Sequence, residues 1–150
     1  MKWTTKDAEL YSHSKEYVDT AIMPILFAGG NPSDKAAAGE AEFVQVLSHE
    51  LERQLKGRLY LYPSLPVKDA GEEAFQAAEM WHRELSVQFK HVVFLTCRRE
   101  WKEEESSLRD HVIYIPPVPL EHMDQQLRDS VIRDQIQQIL NILLQKWNMA

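Results

Sequence analysis

Two kinds of hydrophobic pattern alternate along this chain, and their order limits the fold more than any other feature. Helical patterns cover residues 5–17, 33–57, 72–89, 98–107 and 121–148. Short apolar runs typical of buried strands lie between them, namely "VDTAIMPILF", "RLYLYP", "HVVFLTC" and "HVIYIP". Strict alternation of this kind predicts a parallel sheet with right-handed crossovers. We therefore expect one α/β domain over residues 1–150.

The predicted domain is small and doubly wound, with a mainly parallel four-stranded sheet, helices on both faces and a long C-terminal helix. Ser33 is the expected N-cap of the second helix, and Gly57 is its expected terminator. Pro63 closes the second strand, and "SLPVKDAG" is predicted to be a loop. Because sheets of this class usually have more than four strands, an additional strand or an antiparallel edge is compatible with the pattern.

Charge and cysteine content restrict the compartment and the partners. The net charge of −6 and the lack of a basic stripe argue against nucleic acid as a partner. Cys97 is the only cysteine, so there is no internal disulfide and no cysteine-based zinc cluster. The longest apolar run, 21–30, is too short to span a bilayer. We expect a cytoplasmic protein without membrane insertion, metal or cofactor.

Several stretches give the chain a resemblance to a known group of bacterial proteins. The opening "MKW" precedes a helical segment and "YVDTAIMPI", and "LYLYP" and "VVFLT" follow at similar spacing. In these features the chain resembles the uncharacterised YpiF-like family of bacilli over most of its length. The resemblance implies a small, cytosolic, bacterial domain, and it supplies no activity and no catalytic residues.

The segment "FAGGNPSDKAAAG" joins the first strand to the second helix and has two interpretations. It matches neither G-x-G-x-x-G nor G-x-x-x-x-G-K-[ST], because Gly29 and Gly30 are adjacent and Lys35 already lies in the helix. Backbone N–H groups at such a junction can hold an anion without any motif. Alternatively, the glycines only form the turn and Ser33 only caps the helix.

A candidate ligand site follows from the parallel arrangement of the strands. Ligands of open α/β sheets bind outside the carboxyl ends of the strands. Arg98 and Arg99 stand where a helix begins, an unfavourable place for cations unless an anion or an acidic neighbour is present. The hypothesis is a phosphate or carboxylate site formed by Gly29, Gly30, Ser64, Thr96, Arg98 and Arg99.

Other reactive residue types lack the partners that catalysis needs. His49 and Glu50 begin a metalloprotease-like helix, but Arg53 stands where the second histidine belongs, and a Glu50–Arg53 ion pair is expected instead. His91 and His111 precede strands and are expected at the amino end of the sheet. Cys97 is expected to be packed in the core; as the alternative, adjacent arginines could activate its thiol.

Two functions remain open at this point, and the sequence leans against an enzyme. The first is a non-catalytic interaction or regulatory domain. The second is an anion- or nucleotide-binding domain, with or without enzymatic activity, that uses the carboxyl ends of the strands. The C-terminal helix has apolar residues on more than one face. We expect a homodimer through Ile142, Leu144 and Trp147, or else an intramolecular cover for these residues.

Overall fold

A computed structural model describes residues 1–103 and 106–149, and its central element is a five-stranded sheet with helices on both faces. The strands are β1 (Thr20–Phe27), β2 (Leu59–Leu61), β3 (Leu65–Val67), β4 (His91–Thr96) and β5 (Val112–Tyr114). The helices are α1 (Thr5–Ser12), α2 (Lys35–Gln54), α3 (Glu72–Leu85), α4 (Glu100–Glu103) and α5 (Gln125–Asn148), with a 3₁₀ turn at Arg109–His111. The helix predicted at 98–107 includes residues 104 and 105, which lie outside the described residues.

Every strand pair in the sheet is parallel, which confirms the predicted class. The order is β2-β1-β4-β5, and β3 follows β2 on the same side of β1. Residues 20–22 of β1 pair with β2, and residues 25–27 pair with β3. The prediction of a loop throughout "SLPVKDAG" was wrong, because β3 lies within it. The direction of winding reverses between β1 and β4, so the topological switch point lies there.

The two faces of β1 contribute to two separate hydrophobic clusters, as expected for a strand covered on both sides. Ala21, Met23, Ile25 and Phe27 belong to the cluster beneath α3 and Trp101. Ile22 belongs to the cluster beneath α2 and α5. In that second cluster the helices contribute Phe43, Val44, Leu47, Leu51, Ile136, Ile139 and Leu143.

The helix termini differ from the predicted ones because local hydrogen bonds decide them. Asp34, not Ser33, caps α2, and its carboxylate accepts a hydrogen bond from the Ala37 N–H at 3.1 Å. Helix α2 ends at Gln54, before Gly57. Helix α1 ends at Ser12, whose hydroxyl donates to a carbonyl of its own last turn at 2.7 Å, a competing bond typical of serine.

Helix α5 is anchored to the sheet at its C-terminal end. The Trp147 indole Nε1 donates to the Thr20 hydroxyl at 2.8 Å, and the Arg58 guanidinium lies 3.9 Å from the centre of the Trp147 ring. Trp147 is thereby partly buried against its own domain, and Ile142 is partly buried there as well. Leu144 is 49% exposed. Of the three residues predicted to form a dimer, only Leu144 lies largely free of the core.

Candidate functional site

A cavity of about 350 Å³ lies at the carboxyl ends of β1 and β4, at the topological switch point. Gly29 and Arg98 both line it, so the structure brings these two predicted residues together. We call it the switch-point cavity. Its charged lining residues are Asp34, Lys68, Asp69, Arg98 and Glu100. The three carboxylates outnumber the two cations, which makes the cavity a poor match for a free anion.

Arg98 already has an acidic partner within the domain. Its guanidinium Nε donates to a carboxylate oxygen of Glu40 at 2.8 Å, and the group lies 4.2 Å from the centre of the Phe27 ring. The Arg98 backbone N–H donates to the hydroxyl of Thr96, which is fully buried. The Glu40 carboxylate of α2 thus compensates the charge of the Arg98 guanidinium at this helix start. The anion inferred from the sequence is not needed to explain the position of Arg98.

The glycine pair is not required by the conformation of the turn. Within the described residues no glycine has a positive φ, and a Cβ on Gly29 or Gly30 would meet nothing within 4 Å. The positive end of α2 is occupied by the Asp34 carboxylate. The backbone conformation of the turn therefore does not explain why residues 29 and 30 are glycines.

Cys97 is buried, which confirms the prediction that it is packed in the core. Burial raises the pKa of its thiol to about 12; the Glu40 carboxylate adds to the rise, and the Arg98 guanidinium only partly opposes it. Such a thiol is protonated at neutral pH, so its environment argues against a nucleophilic role.

The remaining residues of the predicted site do not line this cavity. Ser64 lines two other cavities, at the break between β2 and β3. Arg99 forms an exposed ion pair with Glu103 at 2.9 Å. Gly30 is exposed on the turn beside Gly29. Of the six predicted residues, Gly29 and Arg98 line the switch-point cavity, Thr96 accepts a hydrogen bond from the Arg98 backbone, and Ser64 lies in a separate region.

The predicted histidines lie at the opposite end of the sheet, as expected. His91 begins β4, and His111 directly precedes β5. The His111 ring packs on the ring of His82 from α3, with centroids 4.2 Å apart. Burial lowers the pKa of both imidazoles. The Glu50–Arg53 ion pair is also confirmed, and hydrogen bonds from Arg53 and Gln54 lower the pKa of Glu50 to about 2.

An apolar cavity of about 320 Å³ lies where β2 ends and β3 begins. We call it the aromatic cleft. It is lined by Trp3, Met23, Tyr62, Pro63, Ser64, Leu65, Pro66 and Trp81. Pro63 and Pro66 interrupt the edge of the sheet, since neither can donate a backbone hydrogen bond. The break creates a concave surface between the N-terminal segment and α3.

Tyr62 forms a fixed wall of the aromatic cleft. Its backbone N–H donates to the Ile22 carbonyl at 2.9 Å, and its ring packs perpendicular to Phe89 with centroids 5.9 Å apart. Trp3 also packs on the Tyr62 ring, with the two centroids 5.2 Å apart. Burial raises the pKa of the Tyr62 phenol. Although Trp3 is in contact with this ring, 64% of its surface remains exposed.

Contacts of the first two residues hold Trp3 in place. The Met1 ammonium donates to the Leu59 carbonyl at 2.9 Å and lies 3.1 Å from the buried carboxylate of Glu52. The Leu61 N–H donates to the Met1 carbonyl at 2.7 Å, and Lys2 forms a parallel bridge with Leu61. The segment therefore extends the sheet beyond β2 and places the following tryptophan over the cleft.

A second compartment of about 260 Å³ adjoins the aromatic cleft. The two share the residues Trp3, Tyr62, Pro63 and Ser64. The second compartment is more polar, because Lys2, Gln45, Ser48 and His49 line it. We call it the polar compartment. Among the described residues, no aspartate or glutamate lines either compartment.

Sequence reasoning missed the aromatic cleft, although a signal was present. Tyr60 and Tyr62 are two positions apart in "RLYLYP", and prolines follow at 63 and 66, a pattern of an interrupted edge strand with an aromatic face. Trp3 contributed to the prediction only as part of the "MKW" stretch, which no pattern in the sequence links to Tyr62. In the described parts of the chain, no cluster of three potential metal ligands is found, and no helix is long and apolar enough to cross a membrane.

The sheet order, the parallel pairing and the helices on both faces define a small α/β domain of the doubly wound type with clefts at its carboxyl end. The chain belongs to the family described as "Protein of unknown function (DUF2487)", whose model matches residues 9–147. It is 40% identical over 148 residues to "Uncharacterized protein YpiF" of Bacillus subtilis (strain 168), covering 99% of each chain. The YpiF-like resemblance is thereby confirmed. No solved structure matches this chain.

Proposed function

We propose that this chain is a small, cytoplasmic, non-catalytic binding domain of regulatory type, and that its aromatic cleft receives the aromatic ring of a small ligand. The observation that carries the proposal is the state of Trp3. This indole remains 64% exposed while it is held against Tyr62 by a clamped segment. Exposed aromatic surface around a concavity is typical of interaction sites. The single buried cysteine fits the cytoplasmic location.

The size and chemistry of the cleft also support this function. Its volume of about 320 Å³ lies at the lower end of the range for small-molecule sites, roughly 300–1,000 Å³. Two indoles and a phenol form its walls, and each ring contact with a planar ligand contributes about 0.5–1.5 kcal/mol. Tyr62 is fixed by Tyr60 and Phe89, so little conformational freedom is lost on that side when a ligand binds.

A neutral aromatic probe tests the proposal with an internal control. Naphthalene-1-methanol has about a dozen non-hydrogen atoms and is expected to bind with a Kd of about 1 mM or lower. In ¹⁵N-labelled protein the indole signals of Trp3 and Trp81 should shift saturably. Those of Trp101, which is buried, and Trp147, at the other end of the sheet, should not.

A matched pair of variants completes this test. Trp3→Ala should abolish the shift of the Trp81 signal, whereas Val87→Ala, which changes a side chain that is 78% exposed, should leave it intact. Equal shifts of all four indole signals, or binding that survives Trp3→Ala, would count against the proposal.

The second candidate function is anion or nucleotide binding at the switch-point cavity. Its support is the location, where open α/β sheets bind ligands, together with Gly29, Arg98 and Lys68 in the lining. Because Glu40 neutralises Arg98, we expect weak binding of pyrophosphate or ADP by the unmodified chain. Glu40→Gln should strengthen that binding, and a second substitution, Arg98→Gln, should remove the gain. Calorimetry with both variants separates this candidate from the first.

A homodimer through α5 is a further part of the proposal. Leu144 and Leu127 are 49% and 51% exposed on this helix. Apolar side chains at this exposure support a contact between copies, although Ile142 and Trp147 pack on their own domain.

A further inference from the structure

The charges around the two adjoining compartments are unlike those of the whole chain. The chain has 23 acidic and 17 basic residues, a net charge of −6. Within the described residues, no carboxylate lines the aromatic cleft or the polar compartment, whereas Lys2 and His49 line the latter. An apolar slot for a ring thus adjoins a space bordered by a cation and hydrogen-bonding side chains.

Lys2 remains accessible to a ligand although Glu52 is its neighbour, because its contact with that carboxylate is long and its side chain is partly exposed. Glu52 lies 3.1 Å from the Met1 ammonium and 3.9 Å from the Lys2 ammonium, so its closer partner is Met1. The Lys2 side chain is 46% exposed. Its backbone is fixed by the bridge to Leu61 and by an N–H donated to Asp7 at 2.7 Å. The backbone of Lys2 is therefore held in place beside the polar compartment, and its ammonium has only the 3.9 Å contact with Glu52 to give up when it turns to a ligand.

We propose that the two compartments together bind a small aromatic carboxylate. The ring lies in the aromatic cleft between Trp3, Tyr62 and Trp81. The carboxylate lies in the polar compartment, where the Lys2 ammonium supplies the charge and the side chains of Gln45 and His49 supply hydrogen-bond donors. This inference rests on the proposed function, because it assigns a ligand class to the same cleft.

Three probes with one ring and different charges test the ligand class. They are 1-naphthoate, naphthalene-1-methanol and 1-naphthylmethylammonium, each titrated while the Trp3 and Trp81 indole signals are followed. The carboxylate should bind about three- to tenfold more tightly than the alcohol, in line with a partly exposed ion pair strengthened by hydrogen bonds. The ammonium probe should bind more weakly than the alcohol. Added salt should reduce the advantage of the carboxylate.

Two charge-matched variants identify the residue responsible. Lys2→Gln should remove the advantage of the carboxylate and leave the affinity for the alcohol within about twofold. Lys6→Gln changes the net charge equally on an exposed residue of α1, outside both compartments, and should leave the advantage in place. An equal loss in both variants would mean general attraction and would overturn the proposal.

The outcomes also separate this inference from the proposed function. If the alcohol binds at the cleft and the carboxylate binds no better, the ligand class is wrong and the aromatic cleft remains a binding site. If none of the three probes shifts the Trp3 and Trp81 signals, both proposals fail.

Discussion

Glu52→Gln should weaken the clamp that holds the N-terminal segment on the sheet. Glu52 is 4% exposed and lies 3.1 Å from the Met1 ammonium. The amide keeps the shape of the side chain and can still accept a hydrogen bond, so the loss is the charge-assisted part of the contact. Breaking a fully buried pair costs about 3–5 kcal/mol, and a hydrogen bond to a charged group contributes about 1.5–3 kcal/mol.

The Met1 ammonium keeps its bond to the Leu59 carbonyl in this variant. We therefore expect the free energy of unfolding to fall by about 2 kcal/mol, within the range for one hydrogen bond to a charged group. For a domain of this size, that corresponds to a fall in Tm of about 4–8 °C. Urea unfolding followed by circular dichroism measures the free energy of unfolding, and the Trp3 indole signal should move toward its unfolded position.

The matched control for this prediction is Glu50→Gln on the same helix. Its ion pair with Arg53 is local and more exposed, so its removal should cost less than about 0.5 kcal/mol. Equal losses in the two variants, with an unchanged Trp3 signal, would refute the role assigned to Glu52.

Three further predictions concern other regions. With a pKa of about 12, the Cys97 thiol should react slowly with DTNB in the native protein and rapidly after denaturation, and fast native labelling would revive the nucleophile hypothesis. Burial lowers the pKa of His82 and His111, so the stability that their neutral rings confer is complete above about pH 6.5 and is lost as the pH falls through their folded values. In His82→Gln, stability should fall less on acidification, as measured by urea unfolding at several pH values. If the unchanged chain and the variant lost the same stability at each pH, His82 would not be one of the responsible groups. If α5 forms a dimer, light scattering over a dilution series should show a concentration-dependent mass that Leu144→Glu abolishes, whereas a monomer mass throughout would leave α5 as an intramolecular brace.

The sheet was predictable because short stretches of neighbouring residues determine its strands. A contiguous run such as 92–95 requires cover on both faces, and alternation with helices then determines parallel pairing. Strand β3 was missed because Pro66 suggests a loop, although proline is tolerated on an edge strand. The ends of helices α1 and α2 were misplaced because Ser12 and Asp34 form side-chain bonds that periodicity does not encode.

The two parts of the candidate site also differed in how far the sequence could predict them. The meeting of Gly29 with Arg98 follows from parallel strands alone. The aromatic cleft depends on a contact between Met1 and Leu59, which are 58 positions apart, and no local pattern predicts such a contact. The Glu40–Arg98 pair, also 58 positions apart, changes the interpretation of the arginine for the same reason.

The proline residues at the margins of the sheet have a consequence for its behaviour in concentrated solution. On one margin, Pro66 lies within β3, and Pro116, Pro117 and Pro119 follow β5 on the other. A proline offers no N–H to an incoming strand, so both margins are poor templates for edge-to-edge growth into cross-β aggregates. When copies of this chain meet, we therefore expect them to contact each other through helical surfaces and not through continuous sheets. Contacts between helical surfaces can dissociate again.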